Sequence, residues 1–476
     1  MADQTVQSQF TALGGGVIEI GLTSKPVTAW GGMAIFAAFT ESVGLRGLVE
    51  RSLHSLVRTS PNALPAADLL LGFMVGVLTG ATRMLHLERL RADSALRTMF
   101  GITRFVAPTT YARFFQALRG QLQVHFWETL TAWTLARLPE RPQGYTLDID
   151  STVVERFGEQ EGARPGYNPR RRGGPTHHPI LAGLAESRIL LHAWLRSGNT
   201  ASGNNAVAFL QECLALAKGR VKLRMLRADN GFFDNRILTF MESEGVSFLV
   251  KARFTKLVKL AAQQVGGWIP IGPGIEVAEA RIKLLRWDAE RRLVLIRHRV
   301  PEREKPQGKR LFAYEEHRYQ AIVTSFSPHE MPAAEVYRNY LPRGEFENRI
   351  KELKEGCGLT GFCLDDFNAT EALLRTLCFT HNLVQLFQDG LGLRPADRPR
   401  KDGPRYTLET LRNTLFTCAA VLGARGRQTV LRLSATPAWW HHFHQALARF
   451  LPDLPKCRAF AGNRLMSPGH PPLALE

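Results

Sequence analysis

The segment Tyr145-Thr-Leu-Asp-Ile-Asp150-Ser-Thr152 marks the point at which a helical pattern gives way to alternating strands and helices. If this segment is a strand, Asp148 and Asp150 lie on one of its faces and two apolar residues lie on the other. A carboxylate that faces a buried layer is costly unless it is paired or binds a metal. A second apolar run, Met225-Leu-Arg-Ala-Asp229-Asn-Gly-Phe232, also ends in an aspartate.

Strand and helix patterns alternate after the first of these segments. Strands are predicted at 188–195, 221–228 and 246–252, and helices at 204–218 and 234–245. This alternation predicts an α/β layer sandwich. Residues 263–332 interrupt it with short, basic, β-rich runs at 277–285, 293–300, 309–314 and 318–324. We therefore predict an antiparallel β subdomain inserted into the α/β core.

The two ends of the chain are predicted to be mostly helical. The most apolar window, Leu69 to Leu78, is too short for a bilayer, which needs about 20 residues, so it predicts a buried helix and no membrane partner. Near the other end, helices are predicted at 369–386 and 406–422. The domain boundaries that follow are a helical region at 1–140, an α/β core at 141–262 and 333–394, the insertion at 263–332, and a helical region at 395–476.

The charge balance points to a polyanionic partner. The 476 residues include 61 Lys+Arg against 43 Asp+Glu, which gives a net charge of +18 and a pI near 10.0. DNA or RNA is the commonest partner of so basic a chain, although a ribosome-associated protein or a merely basic enzyme would share this composition. The six cysteines include no C-x2-C pair, which disfavours a zinc ribbon and suggests buried thiols in a reducing cytosol. The N-terminus lacks the pattern of a signal peptide.

Residues 93–118 could form a helix-turn-helix. The first helix is expected to end near Gly101, and Thr109 or Thr110 could cap the next one after Pro108. Arg104 and Arg113 would then be able to face DNA. A helical hairpin that only packs against the rest of the protein explains the same pattern equally well.

The segment Tyr340-Leu-Pro-Arg343-Gly-Glu-Phe-Glu347-Asn-Arg-Ile-Lys-Glu-Leu-Lys354 carries a charged line beside an apolar stripe. A helix with Pro342 in its first turn would place Arg343, Glu347 and Lys354 within roughly 40° of one another. An exposed i,i+4 ion pair would account for Arg343 and Glu347, but not for Tyr340 or for the continuation to Lys354.

Asp150, Asp229 and Glu347 together suggest metal chemistry on a phosphodiester. Taken singly, each aspartate is more simply a helix cap or a turn residue, whereas three carboxylates at one site suit two Mg2+ ions. The carboxylates would be the ligands and the catalytic residues. Arg343 and Lys354 would bind DNA phosphates near the cut, and Tyr340 would hydrogen-bond or stack there.

The loop that follows the first strand is basic and rich in Gly and Pro. It runs from Arg164 to Pro179 and contains three consecutive arginines, Arg170, Arg171 and Arg172, which suit contacts to DNA phosphates. His177 and His178 are adjacent, and adjacent residues of a strand point to opposite faces. We therefore expect them to contact DNA or to form structural hydrogen bonds rather than to share a metal.

With these motifs in order, the chain resembles the DDE-type transposases of bacterial insertion sequences, the group that carries a Y-R-E-K signature. The resemblance rests on Asp150-Ser-Thr, on Asp229-Asn-Gly-Phe, and on Tyr340, Arg343, Glu347 and Lys354, and it covers about residues 145–385. It implies an RNase H-like core with the insertion between the second and third carboxylates.

The resemblance also implies an activity. The expected reaction is cut-and-paste transposition with Mg2+ or Mn2+, two ions per active site, on terminal inverted repeats and target DNA, by a homodimer in a synaptic complex. A bacterial, nucleoid-associated protein of the cytoplasm would follow. In members of the group that form DNA hairpins, an aromatic residue of the insertion receives a flipped base. Trp268 and Trp287 are the candidates, although a tryptophan of the subdomain core explains each more simply.

Two other functions remain open at this stage. One is a catalytically inactive DNA-binding derivative of a transposase, which the presence of all three carboxylates disfavours. The other is a different RNase H-like, metal-dependent nuclease, which the signature and the β-rich insertion disfavour.

Overall fold

The computed structural model describes residues 8–451 except residues 13, 57–61, 167, 169–170, 301–316 and 394–405. The N-terminal region contains three short strands and six α-helices, with a 3-10 helix at Met84–Ala92 between α3 and α4. Their bounds are β1 (Ser8–Thr11), β2 (Val17–Ile20), β3 (Val27–Thr28), α1 (Met33–Ser42), α2 (Leu45–Ser52), α3 (Ala66–Leu78), α4 (Ser94–Met99), α5 (Pro108–Ala117) and α6 (Gly120–Leu135).

The central region alternates strands and helices as the sequence predicts. Its elements are β4 (Tyr145–Ser151), β5 (Val154–Glu155), β6 (Arg164–Pro165), β7 (Pro175–His177), β8 (Ile180–Leu184), β9 (Leu190–Trp194), α7 (Ala206–Ala217), β10 (Leu223–Ala228), α8 (Asn235–Ser243), β11 (Ser247–Lys251), α9 (Lys256–Gln264), β12 (Ile269–Gly272), β13 (Ile275–Ile282), β14 (Arg291–Arg299) and β15 (His317–Thr324).

The C-terminal part continues with α10 (Ala333–Tyr340), a 3-10 turn (Leu341–Arg343), α11 (Gly344–Glu355), α12 (Phe367–Gly390), α13 (Leu408–Leu411), a π turn (Arg412–Phe416), β16 (Ala420–Arg425), β17 (Gln428–Leu433) and α14 (Pro437–Ala448). Helical structure after β15 thus begins at Ala333, before the predicted start at Pro342, and Pro342 lies in the turn between two helices. Pro342 lacks an N–H, which disfavours it in a helix interior and suits it to this junction.

A nine-stranded sheet in the order β12-β13-β14-β15-β11-β10-β4-β8-β9 forms the centre of the molecule. Strands β4, β10 and β11 run parallel, and their other neighbours run antiparallel to them. The carboxyl ends of β4 and β10 therefore share one edge of the sheet. That edge receives Asp150 from β4 and Asp229 from the residue after β10.

The β-rich stretch 263–332 does not form a sheet of its own. Its described strands are antiparallel, as predicted, but β15 pairs with β11 and joins them to the central sheet. The physical reason is visible in β14, where Leu293 to Ile296 are all buried, so that both faces of the strand need a cover. The predicted strand at 309–314 lies outside the described residues.

The N-terminal and C-terminal regions share one hydrophobic core. Phe36 and Phe39 of α1 lie against Phe387 of α12 at ring distances of 5.0 and 5.6 Å, and Phe416 and Phe450 complete the cluster. The apolar window before Thr79 forms the buried helix α3, as predicted. Within the residues that the structure describes, no helix is both long and apolar enough to cross a membrane.

The predicted helix at 406–422 is wrong in its last six residues. Helical structure ends at Phe416, and β16 and β17 then form a hairpin that pairs with β3 through Ala420 and Thr28. Gly426, at the hairpin turn, has φ of +62°, a conformation that glycine adopts without strain. The segment also pairs with a strand almost 400 residues earlier, which no local pattern could reveal.

The candidate helix-turn-helix consists of α4 and α5. Pro108 is the first residue of α5 and Ala107 is its N-cap, so neither Thr109 nor Thr110 caps the helix as predicted. Tyr111 and two phenylalanines bury one face of α5 against α3 and α12. Arg113 is exposed, and Arg104 is exposed and donates to the Asn62 carbonyl at 3.3 Å. Their contact with DNA stays a prediction.

Candidate active site

Two of the three predicted carboxylates meet around one arginine. The Arg343 guanidinium donates to Asp150 at 2.9 Å and to Glu347 at 2.5 Å. Asp150 belongs to β4, and Glu347 lies one helical turn after Arg343 in α11. Arg343 thus links the sheet edge to the helix that packs over it. Glu347 is 62% exposed and Asp150 only 14%, so the glutamate can turn toward a ligand more easily.

Asp150 is difficult to ionise in this position. Burial raises its pKa to about 7; Arg343 opposes the rise, while the nearby carboxylates of Asp229 and Glu347 add to it. Burial alone would lower the pKa of Arg343, but the combined attraction of Asp150, Tyr340 and Asp229 and the hydrogen bond to Glu347 outweighs it and raises that pKa. Arg343 therefore stays charged, and the site holds more negative charge than one arginine balances.

Asp229 is held by the backbone that follows it. Its Oδ1 accepts from Gly231 N at 2.9 Å, and a Cβ on Gly231 would lie 2.9 Å from both this oxygen and Ser202 Cβ. The Ser202 hydroxyl in turn lies 2.8 Å from the Ser151 hydroxyl, next to Asp150. The close approach of Gly231 to Asp229 and Ser202 requires glycine at this position. The contact between Ser202 and Ser151 then connects the segments that carry the two aspartates.

Asp148 has a different role from its neighbour two residues later. It is fully buried and accepts two hydrogen bonds from Arg227, at 2.7 and 2.8 Å. Arg227 also donates to the Asn339 carbonyl at 2.7 Å. Because its carboxylate is fully engaged by a buried arginine, Asp148 joins β4 to β10 and α10 and is not available as a ligand.

Tyr340 and Lys354 contact the backbone of the loops around the carboxylates. The Tyr340 hydroxyl donates to the Ala228 carbonyl at 3.2 Å, directly before Asp229. Burial raises the pKa of Tyr340, so its hydroxyl keeps its proton. Lys354 Nζ donates to the Val153 carbonyl at 2.8 Å, three residues after Asp150. Both side chains therefore hold the site together, and their contact with DNA stays a prediction.

A cleft of about 290 Å³ opens beside these groups. Asp229, Tyr340, Arg343 and Glu347 line it together with two residues that sequence analysis did not identify, Lys251 and Gln320. Lys251 is the last residue of β11, so it reaches the same sheet edge as Asp229. A lysine at the end of an apolar strand parallel to the aspartate strands was the available signal. Gln320 lies in β15, and no sequence pattern indicated that it would line the cleft.

The donor chemistry fits a divalent cation. All three candidate ligands are carboxylates, which suit Mg2+ or Mn2+ better than sulfur or imidazole would. The pKa of Asp150 is raised mainly by burial and further by the other two carboxylates. Within the described residues, no three His, Cys, Asp or Glu side chains are grouped closely enough to hold an ion as they stand. Glu347 would have to leave Arg343 to join the aspartates.

The basic loop is joined to the segment after Asp150, because β7, at the end of the loop, pairs with β5. Arg171 and Arg172 are exposed, and the Arg171 guanidinium lies 5.3 Å from the Phe157 ring. Arg170 lies outside the described residues. The loop offers cations to solvent, and their role in binding DNA stays a prediction.

The two histidines of the loop form structural hydrogen bonds, one of the two roles expected for them. His177 Nδ1 accepts from buried Arg156 at 3.0 Å, so its Nε2 is the donor to the Glu161 carbonyl at 2.9 Å. Burial lowers the pKa of His177 to about 4. His178 Nδ1 donates to the Thr200 carbonyl at 2.6 Å. Each ring thus has its own partner.

The two tryptophan candidates differ in exposure. Trp287 is 8% exposed, contacts Phe233 at a ring distance of 5.3 Å and lies under Arg291. It is a core residue. Trp268 is half-buried, with Arg297 4.4 Å above its ring. Trp268 is the better candidate for contact with a base.

Comparison with known proteins connects this geometry to a family. The family model described as "Transposase DDE domain group 1" matches residues 10–454. Among solved structures, the cryo-EM structure of a piggyBac transposase synaptic complex with hairpin DNA is similar over 94% of this chain and 90% of that chain, with 12% identity and a TM-score of 0.41. The chain has no significant match among curated protein sequences.

Proposed function

The chain belongs to the family of transposases with a DDE domain, and from that premise we propose that it is the cut-and-paste transposase of an insertion sequence. Enzymes of this family cleave DNA and transfer strands with divalent metal ions. The observation that carries the proposal is the meeting of Asp150, Arg343 and Glu347 beside Asp229 at one sheet edge, in a chain of net charge +18.

The proposed catalytic core is RNase H-like. Its support is the strand order β9-β8-β4-β10-β11, in which the first two pairings are antiparallel and the last two are parallel. In this arrangement Asp150 lies on the central strand β4, and Asp229 directly follows its neighbour β10. Strands β12 to β15 would then be the insertion between the second and third carboxylates, attached as an extension of the sheet.

Asp150, Asp229 and Glu347 would hold two Mg2+ or Mn2+ ions. When bound, such ions activate the attacking oxygen and stabilise the leaving oxygen of a phosphodiester. The chain's own residues prepare the site: Arg343 stays protonated and offsets part of the negative charge of the carboxylates, and Tyr340 fixes the strand end that carries Asp229. Lys251, in the cleft, would bind a phosphate oxygen of the DNA strand.

Double-stranded DNA with the element's terminal inverted repeats, and target DNA, are the proposed substrates. Exposed Arg171 and Arg172 support phosphate contacts near the site, and exposed Arg104 and Arg113 support a further contact in the N-terminal region. The protein would act on the bacterial nucleoid in the cytoplasm as a homodimer in a synaptic complex. If the element end forms a hairpin, Trp268 would stack on the flipped base.

A labelled duplex that carries the element's own end tests the proposal. We expect cuts at the element boundary with Mg2+ and none with EDTA. Glu347→Ala should abolish the cuts, whereas Glu355→Ala, which removes an exposed glutamate from the same helix, should cleave like the wild type. Binding without cleavage in every variant would instead indicate a DNA-binding derivative. Metal-dependent cleavage at positions unrelated to the element boundary would indicate a different metal-dependent nuclease.

A further inference from the structure

The hairpin formed by β16 and β17 projects from the core that the two ends of the chain share. Its base is fixed by backbone hydrogen bonds: Cys418 N to the Ala29 carbonyl at 2.9 Å, Gly31 N to the Cys418 carbonyl at 2.7 Å, and Leu422 N to the Pro26 carbonyl at 2.9 Å. From Ala424 to Thr429 every residue is exposed. A rigid base thus presents a solvent-exposed tip.

The tip carries positive charge that nothing in the described structure neutralises. Arg425, Arg427 and Arg432 are exposed, and their side chains have no ion pair or hydrogen bond within the described residues. The sequence has no Asp or Glu between Glu409 and Asp453. The three arginines therefore have no acidic neighbour in this stretch of sequence with which to pair.

The arginines of the central sheet provide a contrast. Arg281 is paired with Glu290, Arg292 with Glu279 and Arg297 with Glu276. Those arginines are also on antiparallel strands, so a strand does not by itself leave an arginine unpaired. The absence of Asp and Glu from residues 410–452 therefore makes the exposed part of the hairpin a cationic surface.

The shape of the hairpin suits duplex DNA. A two-stranded ribbon fits the major groove, and arginines at its tip and edge can reach phosphates on both sides. Gly426 forms the turn with φ of +62°, so Arg425 and Arg427 flank a tip without a bulky side chain. No residue of the hairpin lines the cleft at Asp229.

We propose that the hairpin Ala420–Leu433 is a DNA-binding ribbon that contacts duplex phosphates outside the cleft at Asp229 through Arg425, Arg427 and Arg432. The proposal rests on the proposed function, since it assigns one more contact with the DNA that the transposase holds. It adds a binding surface that is separate from the basic loop and from α5.

The test compares two double variants of the full-length protein that lose the same charge. Arg425→Gln with Arg427→Gln removes two unpaired cations, whereas Arg236→Gln with Arg281→Gln removes two exposed arginines that are paired with Asp234 and Glu290. Binding to a labelled duplex is measured by fluorescence anisotropy over a range of salt concentrations. Thermal melting of each variant confirms that it is folded.

Each phosphate contact contributes about 0.9 to the slope of log affinity against log salt. The hairpin double variant should therefore lose up to about 1.8 in slope, which at 0.1 M salt corresponds to about 60-fold in affinity if counterion release dominates. The control should keep the wild-type slope. Equal losses of salt slope and affinity in the two variants, or no loss in either, would overturn the proposal that the hairpin binds DNA. A wild type that binds no duplex at all would contradict the proposed function itself.

Discussion

Replacing Asp150 with Asn should make the metal-free protein more stable at high pH relative to the wild type. The pKa of Asp150 is about 7 in the fold, against 3.8 for an exposed aspartate. Each unit of difference is worth about 1.36 kcal/mol, so the ionised carboxylate costs about 4 kcal/mol of folding free energy above pH 7. Asn resembles the neutral acid in size and cannot ionise.

The direction of this pH dependence follows from the raised pKa of Asp150. The stability that Asp150 contributes is fully present below about pH 3.8 and is lost as the pH rises through 7. The variant also loses the contact with Arg343, which shifts its unfolding free energy by the same amount at every pH. Arg343 keeps Glu347 as a partner. Between pH 5 and pH 8 the difference in unfolding free energy, variant minus wild type, should therefore grow by about 3 kcal/mol.

Urea unfolding of both proteins at several pH values, with EDTA present, measures this difference. Addition of Mg2+ at pH 8 should stabilise the wild type and leave the variant almost unchanged, because ligands must be deprotonated to bind a cation. A difference that stays flat from pH 5 to pH 8 would refute the argument, since Asp150 would then be ionised throughout.

Two further substitutions test the division of roles among the neighbours of Asp150. Asp148→Asn should cost about 3–5 kcal/mol of unfolding free energy because it leaves buried Arg227 without its carboxylate; urea unfolding measures this, and a cost as small as that of Asp234→Asn, whose partner is exposed, would contradict it. Lys251→Gln should slow cleavage by roughly 10- to 100-fold, the value of one hydrogen bond to a charged group, with little change in melting temperature, whereas Lys256→Gln on the exposed face of α9 should cleave normally.

The sequence predicts that Asp150 and Asp229 follow apolar strands, because a local pattern shows each strand. Their meeting at one sheet edge depends on the pairing of β4 with β10, which is not local. The role of Asp148 could not be predicted in this way. Its partner Arg227 lies on another strand, and only the register between β4 and β10 brings the two together.

The errors also have physical causes. The pattern at 406–422 is compatible with a helix, but helical structure ends at Phe416 and the chain continues into β16, because β3, near the other end of the chain, pairs with this strand. Capping by Thr109 or Thr110 fails because Pro108 already starts α5. In both cases a partner or a neighbouring residue outweighs a local preference that the sequence pattern does show.

The shared aromatic core has a consequence for synthesis of the protein. Phe36 and Phe39 are made early, but Phe387, against which they pack, follows roughly 350 residues later. At about 5–20 residues per second, a ribosome takes on the order of 20 to 70 s to reach it. During that time the N-terminal helices expose an apolar surface that the nascent chain cannot yet cover. The first helices are therefore expected to reach their native packing only after Phe387 has been synthesised, and chaperones are expected to bind their apolar surface until then.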